Sequence, residues 1–428
     1  MEHKYYQTYN EHVYHKTLEN GLKVYIIPKR DYNKTFVTFT TKYGSFDQSF
    51  IPLGKDKRTT QPAGIAHFLE HKLFENEDGT DAFEYLTKLG VQANAFTSFD
   101  RTSYLFSGTQ NVNEALEYLL DYVQAPYFTK KAVKKEQGII GEELLMYQDY
   151  PSQRMMYGLF KNLYKNHPLN TEIIGTLDSI SKITPHKLYE AYNTFYHPSN
   201  MVLTVIGNVD ENEIIKIVEE NQAKKGYEKA EEIKRYYPHE QKSIVKDHTE
   251  IEMSVQMPQA GLAVKMPPKD SRYESIKAEF ALSILLNIFL GESSDNYQKL
   301  LKKGIINHTY EQFPFESVGA LTLLITSSTP SPYEFIDEVK RILVNIKRNK
   351  ITLDAVNRQK KIAQGDLISS LNQVEAINNN FVRYQLDGID LFEIQKIIDS
   401  ITVEDLISLA KEIKKPLITS LIINPKKV

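Results

Sequence analysis

His67-Phe68-Leu69-Glu70-His71 is the stretch of this chain best suited to chemistry. Residues four apart lie on one face of a helix, so both imidazoles can reach a single metal ion. Glu70 borders the same face and can take a proton without being a ligand. Hydrolysis at a metal needs this division of labour. Neutral imidazoles hold zinc, the ion lowers the pKa of its water towards about 7, and a carboxylate receives the proton. With 11 His and 55 acidic residues in 428, chance supplies only about 0.04 His-x-x-acid-His patterns per chain.

A catalytic zinc takes three protein ligands and keeps one position open. The chain has no cysteine, so the ligands must be nitrogen and oxygen. The acid-rich run from Glu136 to Glu143 (EQGIIGEE) is the best source of the third. On a helix Glu136 and Glu143 share a face, while Glu142 points about 100° away. One of the pair can bind zinc while the other accepts a hydrogen bond from a ligand histidine.

These residues need elements to hold them. Residues 62–74 and 130–147 carry helical periodicity, with Pro62 suited to a helix start and Ile65, Phe68, Leu69 and Leu73 forming an apolar face. Residues 22–28 and 35–42 are rich in β-branched and aromatic side chains and read as neighbouring strands joined by a polar turn at 29–33. Residues 91–106 read as a hairpin turning at Ser98-Phe99-Asp100. Strands and helices interleave without a regular βαβ rhythm, which points to an α+β fold.

A chain of 428 residues exceeds one ordinary core. Its halves also echo each other. Ile183-Thr184, Leu188, Pro198 and Leu203 return as Ile401-Thr402, Leu406, Pro416 and Leu421, a constant offset of 218 (401 − 183). Both copies read as a helix, a proline-marked loop and an apolar strand, which suggests duplication. The expected organisation is a zinc-binding catalytic domain at 1–223, an exposed Lys-, Glu- and Tyr-rich linker at 224–247, and a related metal-free domain at 248–428.

The formal net charge of −3 gives no reason to expect nucleic acid or an anionic membrane as partner. The pairs Lys130-Lys131 and Lys134-Lys135 read as solvated helix faces. The first fourteen residues lack the apolar core of a signal peptide. The longest apolar stretch, 280–290, is broken by Ser283 and Asn287 and is too short to span a bilayer. A cytoplasmic location without membrane insertion is expected.

The order of elements resembles the pitrilysin/insulinase family of inverted-motif zinc peptidases over nearly the whole chain. The resemblance rests on HFLEH at 67–71, ANAFTS and RTSY within 93–104, EQGIIGEE at 136–143 and YHPSNMVLTVIGNVD at 196–210. It implies two related domains, each a mixed or antiparallel sheet with helices packed on it, and two chains closing around a chamber. It further implies one zinc per chain, with His67, His71 and Glu143 as ligands. Glu70 would be the general base and Glu136 the acid supporting the site from outside. Ala93, Asn94, Ala95 and Phe96 match the edge strand to which a peptide substrate adds as an extra strand.

One departure stands out. Active relatives carry a segment like LREKGLAY in the second half, whose Arg and Tyr contact substrate. Here residues 300–307 read LLKKGIIN, with Leu301 and Asn307 in those places and Tyr310 displaced by three residues. The apolar helix at 281–291 has no histidine. The expectation is therefore a peptide-processing zinc endopeptidase, the zinc-bearing subunit of a heterodimer whose partner supplies the Arg and Tyr. The alternatives are a homodimer using Tyr310, Lys302 or Lys303, a non-catalytic binding or assembly subunit, and a structural zinc. An intact HFLEH weighs against the last two.

Overall fold

The structure, a computed structural model, describes residues 1–426. The chain forms two compact units, and each holds one main sheet. In the first unit the strands are β1 (Glu2–Tyr6), β2 (Glu11–Thr17), β3 (Lys23–Pro28), β4 (Thr35–Thr41), β7 (Gln92–Thr97), β8 (Thr102–Gly108) and β9 (Met201–Gly207). Two short strands, β5 (Ser49–Phe50) and β6 (Thr59–Thr60), pair separately. The main order is β1-β2-β3-β9-β4-β8-β7. The strands expected as neighbours, β3 and β4, are thus separated by β9, which runs parallel to β3 and antiparallel to β4. Every residue of β9 (MVLTVIG) is buried. A strand apolar on both faces belongs in the middle of a covered sheet, and the 29–33 turn spans the gap.

The second unit holds β10 (His248–Met253), β11 (Gln259–Met266), β12 (Glu311–Ser317), β13 (Ala320–Ser328) and β14 (Ile418–Pro425), ordered β10-β14-β11-β13-β12. Here too the late strand is inserted, β14 running parallel to β10 and antiparallel to β11. The echo at offset 218 falls on matching elements. Thr184 and Thr402 each cap a helix through the side-chain oxygen, Pro198 and Pro416 each lie in a 3-10 turn, and β9 and β14 follow. The fold is α+β with two related units.

The units do not follow the halves drawn at 1–223 and 248–428. The first comprises Met1–Leu144, Glu172–Tyr237 and Ile368–Phe392; the second comprises Leu145–Thr171, Pro238–Leu367 and the segment from Glu393. The helix Val374–Gln385 from the later half packs on β9 and β4, and its buried Asn378 bonds Thr38 and Thr204 at 2.9 and 2.7 Å. The helix Pro151–Leu163 from the earlier half packs on β14 and β11. The cause is burial: β4 and β9 are buried at every position, so both faces of the sheet need cover.

The segment 224–247 is mostly exposed yet pinned at two points. In the first unit Arg235 pairs with buried Asp47 at 3.0 Å, and Tyr237 donates its hydroxyl to the same carboxylate at 2.9 Å. In the second, Glu240 accepts from Lys265 at 2.8 Å and from the backbone N–H groups of Lys165, Asn166 and His167. Among the described residues no helix is long and apolar enough to cross a membrane. The helix Arg272–Leu290, which holds the 280–290 stretch, lies in the second unit's core.

Candidate metal centre

The motif helix is Ile65–Lys72. It begins after Gly64, not at Pro62, and Gly64 has a left-handed φ of 89°. A Cβ there would sit 2.4 Å from the Ile174 carbonyl oxygen, so only glycine fits the turn that starts the helix. Ile65, Phe68 and Leu69 are buried against the unit's core. This orientation leaves His67, Glu70 and His71 to face the hairpin and the long acidic helix. The two imidazole centroids are 4.6 Å apart.

The helix Lys130–Gln148 delivers Glu136 and Glu143 to the histidines. His71 Nδ1 lies 3.1 Å from Glu136 Oε1, and its Nε2 lies 3.4 Å from Glu143 Oε2. His67 Nε2 is 3.8 Å from Glu143 Oε1. Glu142, on another side of the helix, is exposed. One atom each of His67, His71 and Glu143 lie within 4.8 Å of one another, the one such group among the described residues. Ligands about 2.0–2.2 Å from a tetrahedral zinc stand roughly 3.3–3.6 Å apart, close to the spacing already present. Glu143 Oε2 is buried with no hydrogen-bond partner. A buried anionic oxygen without a partner is costly, and a cation at this point would satisfy it. His67 Nδ1 is likewise buried and unpartnered. The donor set fits zinc.

Burial shapes the charge states. Burial, helped by the neighbouring His71, pushes the His67 imidazole down to about 3, so it is neutral, as a ligand must be. Burial also raises the Glu70 carboxyl, outweighing the hydrogen bond from Thr97. For His71, burial opposes protonation, but the bond to Glu136 and the nearby carboxylates outweigh it and raise its pKa. Burial likewise works against the charge on Glu136, yet the His71 bond and the charges of His71 and Lys72 hold its pKa below the usual range.

Two partners carry no signal of their own in the sequence. Thr97 Oγ1 donates to Glu70 Oε2 at 2.6 Å and so orients that carboxylate. Lys72, only 1% exposed, bonds Glu75 and lies 3.7 Å from Glu136 Oε2. Thr97 falls within ANAFTS, but nothing local says that it reaches back across 27 residues. Lys72 follows the motif directly and reads as an ordinary surface lysine.

Ala93, Asn94, Ala95 and Phe96 lie in β7, the last strand of the sheet, paired on one side only with β8. Asn94 and Ala95, with Glu70, His71, Phe74 and Glu136, line a cavity of about 480 Å³. In the second unit Leu301 is exposed. Asn307 is spent on its own turn, donating to the Ser328 carbonyl and accepting from Thr309. Tyr310 donates to Gln312 at 3.0 Å and packs against the core, and Lys303 pairs with Glu338 at 3.2 Å.

Residues 50–177 match the sequence profile of the insulinase family, peptidase family M16, and residues 182–363 match that of the peptidase M16 inactive domain. A Bacillus subtilis protein named uncharacterized zinc protease YmfH is 45% identical over 410 residues, 95% of each chain. This chain belongs to the insulinase family. The zinc protease PqqE of Helicobacter pylori is 25% identical over 412 residues, 92% of this chain and 89% of that one. Among solved structures, one described as an M16-like peptidase from Alicyclobacillus acidocaldarius superposes with a TM-score of 0.93 at 31% identity, covering 97% of this chain and 99% of that one. A Helicobacter pylori protease shares the fold, with a TM-score of 0.79 at 21% identity over 96% of this chain and 99% of that one.

Proposed function

We propose that this family member is a zinc-dependent endopeptidase for extended peptides or short unfolded proteins, working as the zinc-bearing subunit of a heterodimer. The observation that carries this reading is the convergence of His67, His71 and Glu143 beside a Glu70 carboxylate that Thr97 holds in place. Zinc held there would supply Lewis acidity and an acidified water. The chain's own residues do the rest. Glu136 fixes the His71 ring through Nδ1 and leaves Nε2 free for the ion. Glu70, whose pKa burial raises, accepts the proton from the attacking water and can return it to the leaving amine. The open edge of β7 at Ala93–Phe96 supplies main-chain groups that align an extended peptide beside Glu70.

The second unit supports the partner in this reading. Positioning the scissile carbonyl and stabilising its oxyanion need groups beyond the metal. Leu301 cannot supply a charge, Asn307 is committed to its turn, and Tyr310 and Lys303 already have partners within the unit, which leaves exposed Lys302 as the candidate for the homodimer alternative. A related chain that keeps the Arg and Tyr but lacks the zinc motif completes one site. The test is metal analysis with cleavage of quenched fluorescent peptides, by this chain alone and mixed with such a relative. About one zinc per chain, weak cleavage alone and recovery in the mixture are expected. Robust cleavage that the relative does not raise favours a homodimer, and a chain that takes up no zinc refutes the proposal.

A further inference from the structure

Ile65, Phe68 and Leu69 of the motif helix are buried, at the i, i+3 and i+4 spacing of an apolar stripe. The next place on that stripe, one turn further on, holds Lys72, which is only 1% exposed. Packing alone calls for an aliphatic side chain there. A buried ammonium is costly unless carboxylates answer it, so packing does not account for the lysine.

Two carboxylates answer it. Glu75, in the loop after the helix, accepts a bond from Nζ and is itself partly exposed. Glu136 Oε2 lies 3.7 Å from the same nitrogen, the distance of an ion pair and not of a hydrogen bond. This second contact bears on the metal centre. The other oxygen of Glu136, Oε1, is 3.1 Å from His71 Nδ1, so consecutive residues of the motif helix face the two oxygens of one carboxylate. The Glu136 side chain is 11% exposed, and little water competes for Oε2. The last torsion of a glutamate is soft. A single contact leaves the carboxylate free to swing, and contacts at both oxygens fix its plane.

We propose that Lys72 is a positioning residue for the zinc centre. Its ammonium holds the Glu136 carboxylate in the orientation that keeps the His71 ring presenting Nε2 to the ion. The inference rests on the peptidase function proposed for this site and deepens it by naming a group that acts on the metal through Glu136 and His71.

The test uses the full chain. Zinc affinity is measured by competition with a chromophoric chelator, and the visible spectrum of the cobalt-loaded protein reports ligand geometry. Lys72→Met keeps the length of the side chain and removes its charge. It should weaken zinc binding by about tenfold, as loss of a group that supports a ligand histidine does, and alter the cobalt bands as Glu136→Gln alters them. In the Glu136→Gln background, adding Lys72→Met should cost no more than about a further twofold, because the carboxylate it acts through has already gone. A lysine with a merely structural role would lower the thermal melt in both backgrounds and leave the cobalt bands alone. Unchanged zinc affinity in Lys72→Met, or the same loss with and without Glu136, overturns the assignment. Should Lys72→Met not fold, acylation of Lys72 by an amine-reactive reagent, read by mass spectrometry, decides. It should be severalfold faster in Glu136→Gln than in the unsubstituted chain, and an equal rate overturns the assignment. If zinc affinity shows this coupling but peptide is never cut with any partner, the peptidase function falls and the role of Lys72 stands. If peptide is cut but the coupling is missing, the role of Lys72 falls and the peptidase function stands.

Discussion

The first sheet's β3-β9-β4-β8-β7 and the second's β10-β14-β11-β13-β12 share strand order and sense, yet the helices beside their end strands have opposite characters. Beside β7 lies Ile65–Lys72, which carries two histidines and a buried glutamate among its apolar residues. Beside β12 lies Arg272–Leu290, whose buried positions include Ala281, Leu282, Leu285, Leu286 and Leu290. The frame is common and the chemistry is not. Burying imidazoles and carboxylates is costly unless each finds a partner. The first unit offsets part of that cost by pairing His71 with Glu136, Glu136 with Lys72 and Glu70 with Thr97, while His67 Nδ1 and Glu143 Oε2 stay without a hydrogen-bond partner. The second uses the same place for apolar packing, which stabilises without partners. One frame can therefore carry such a cluster in one copy and apolar packing in the other.

Substitutions in each unit test this contrast. The largest effect should come from Glu70→Gln, which would remove the proposed proton acceptor and leave the proposed ligands alone. Turnover of the active assembly should fall by about 10²–10⁴-fold while metal analysis finds the zinc retained. Loss of zinc in that variant would make Glu70 a ligand and not a base. In the second unit the matching test is on stability. Leu285 is fully buried, and Leu285→Ala should destabilise by about 2–5 kcal/mol in denaturant melts, with zinc affinity unchanged. A neutral result would mean that this helix is not the packing counterpart of the motif helix. The smallest effect separates the acids on the long helix. Glu136→Gln should weaken zinc binding by about 10–100-fold in competition titrations, and Glu142→Gln, on the exposed side, should leave it unaltered. Zinc affinity more sensitive at Glu142 than at Glu136 would refute the assignment of the helix face.

Local spacing made much of this legible in advance. His67, Glu70 and His71 depend only on helical periodicity, and Glu136 and Glu143 share a face because seven residues are nearly two turns. The hairpin of β7 and β8 and the repeat at offset 218 are likewise patterns along the chain. The spacing of the motif names a metal site and the absence of cysteine limits its donors, whatever the fold around them.

Other features were settled only when distant segments met. Nothing in residues 22–42 says that β9, from 160 residues later (201 − 41), enters between β3 and β4. Nor does the sequence show that the helices Pro151–Leu163 and Val374–Gln385 pack on sheets formed largely by the other half of the chain. Strands buried on both faces demand cover, but which segment provides it depends on the whole packing. The same holds at the site. Thr97 on Glu70 and Lys72 beside Glu136 are relations between residues that local patterns cannot pair. Periodicity decides which side of an element a residue occupies; burial and the need to satisfy each polar group decide what that side meets.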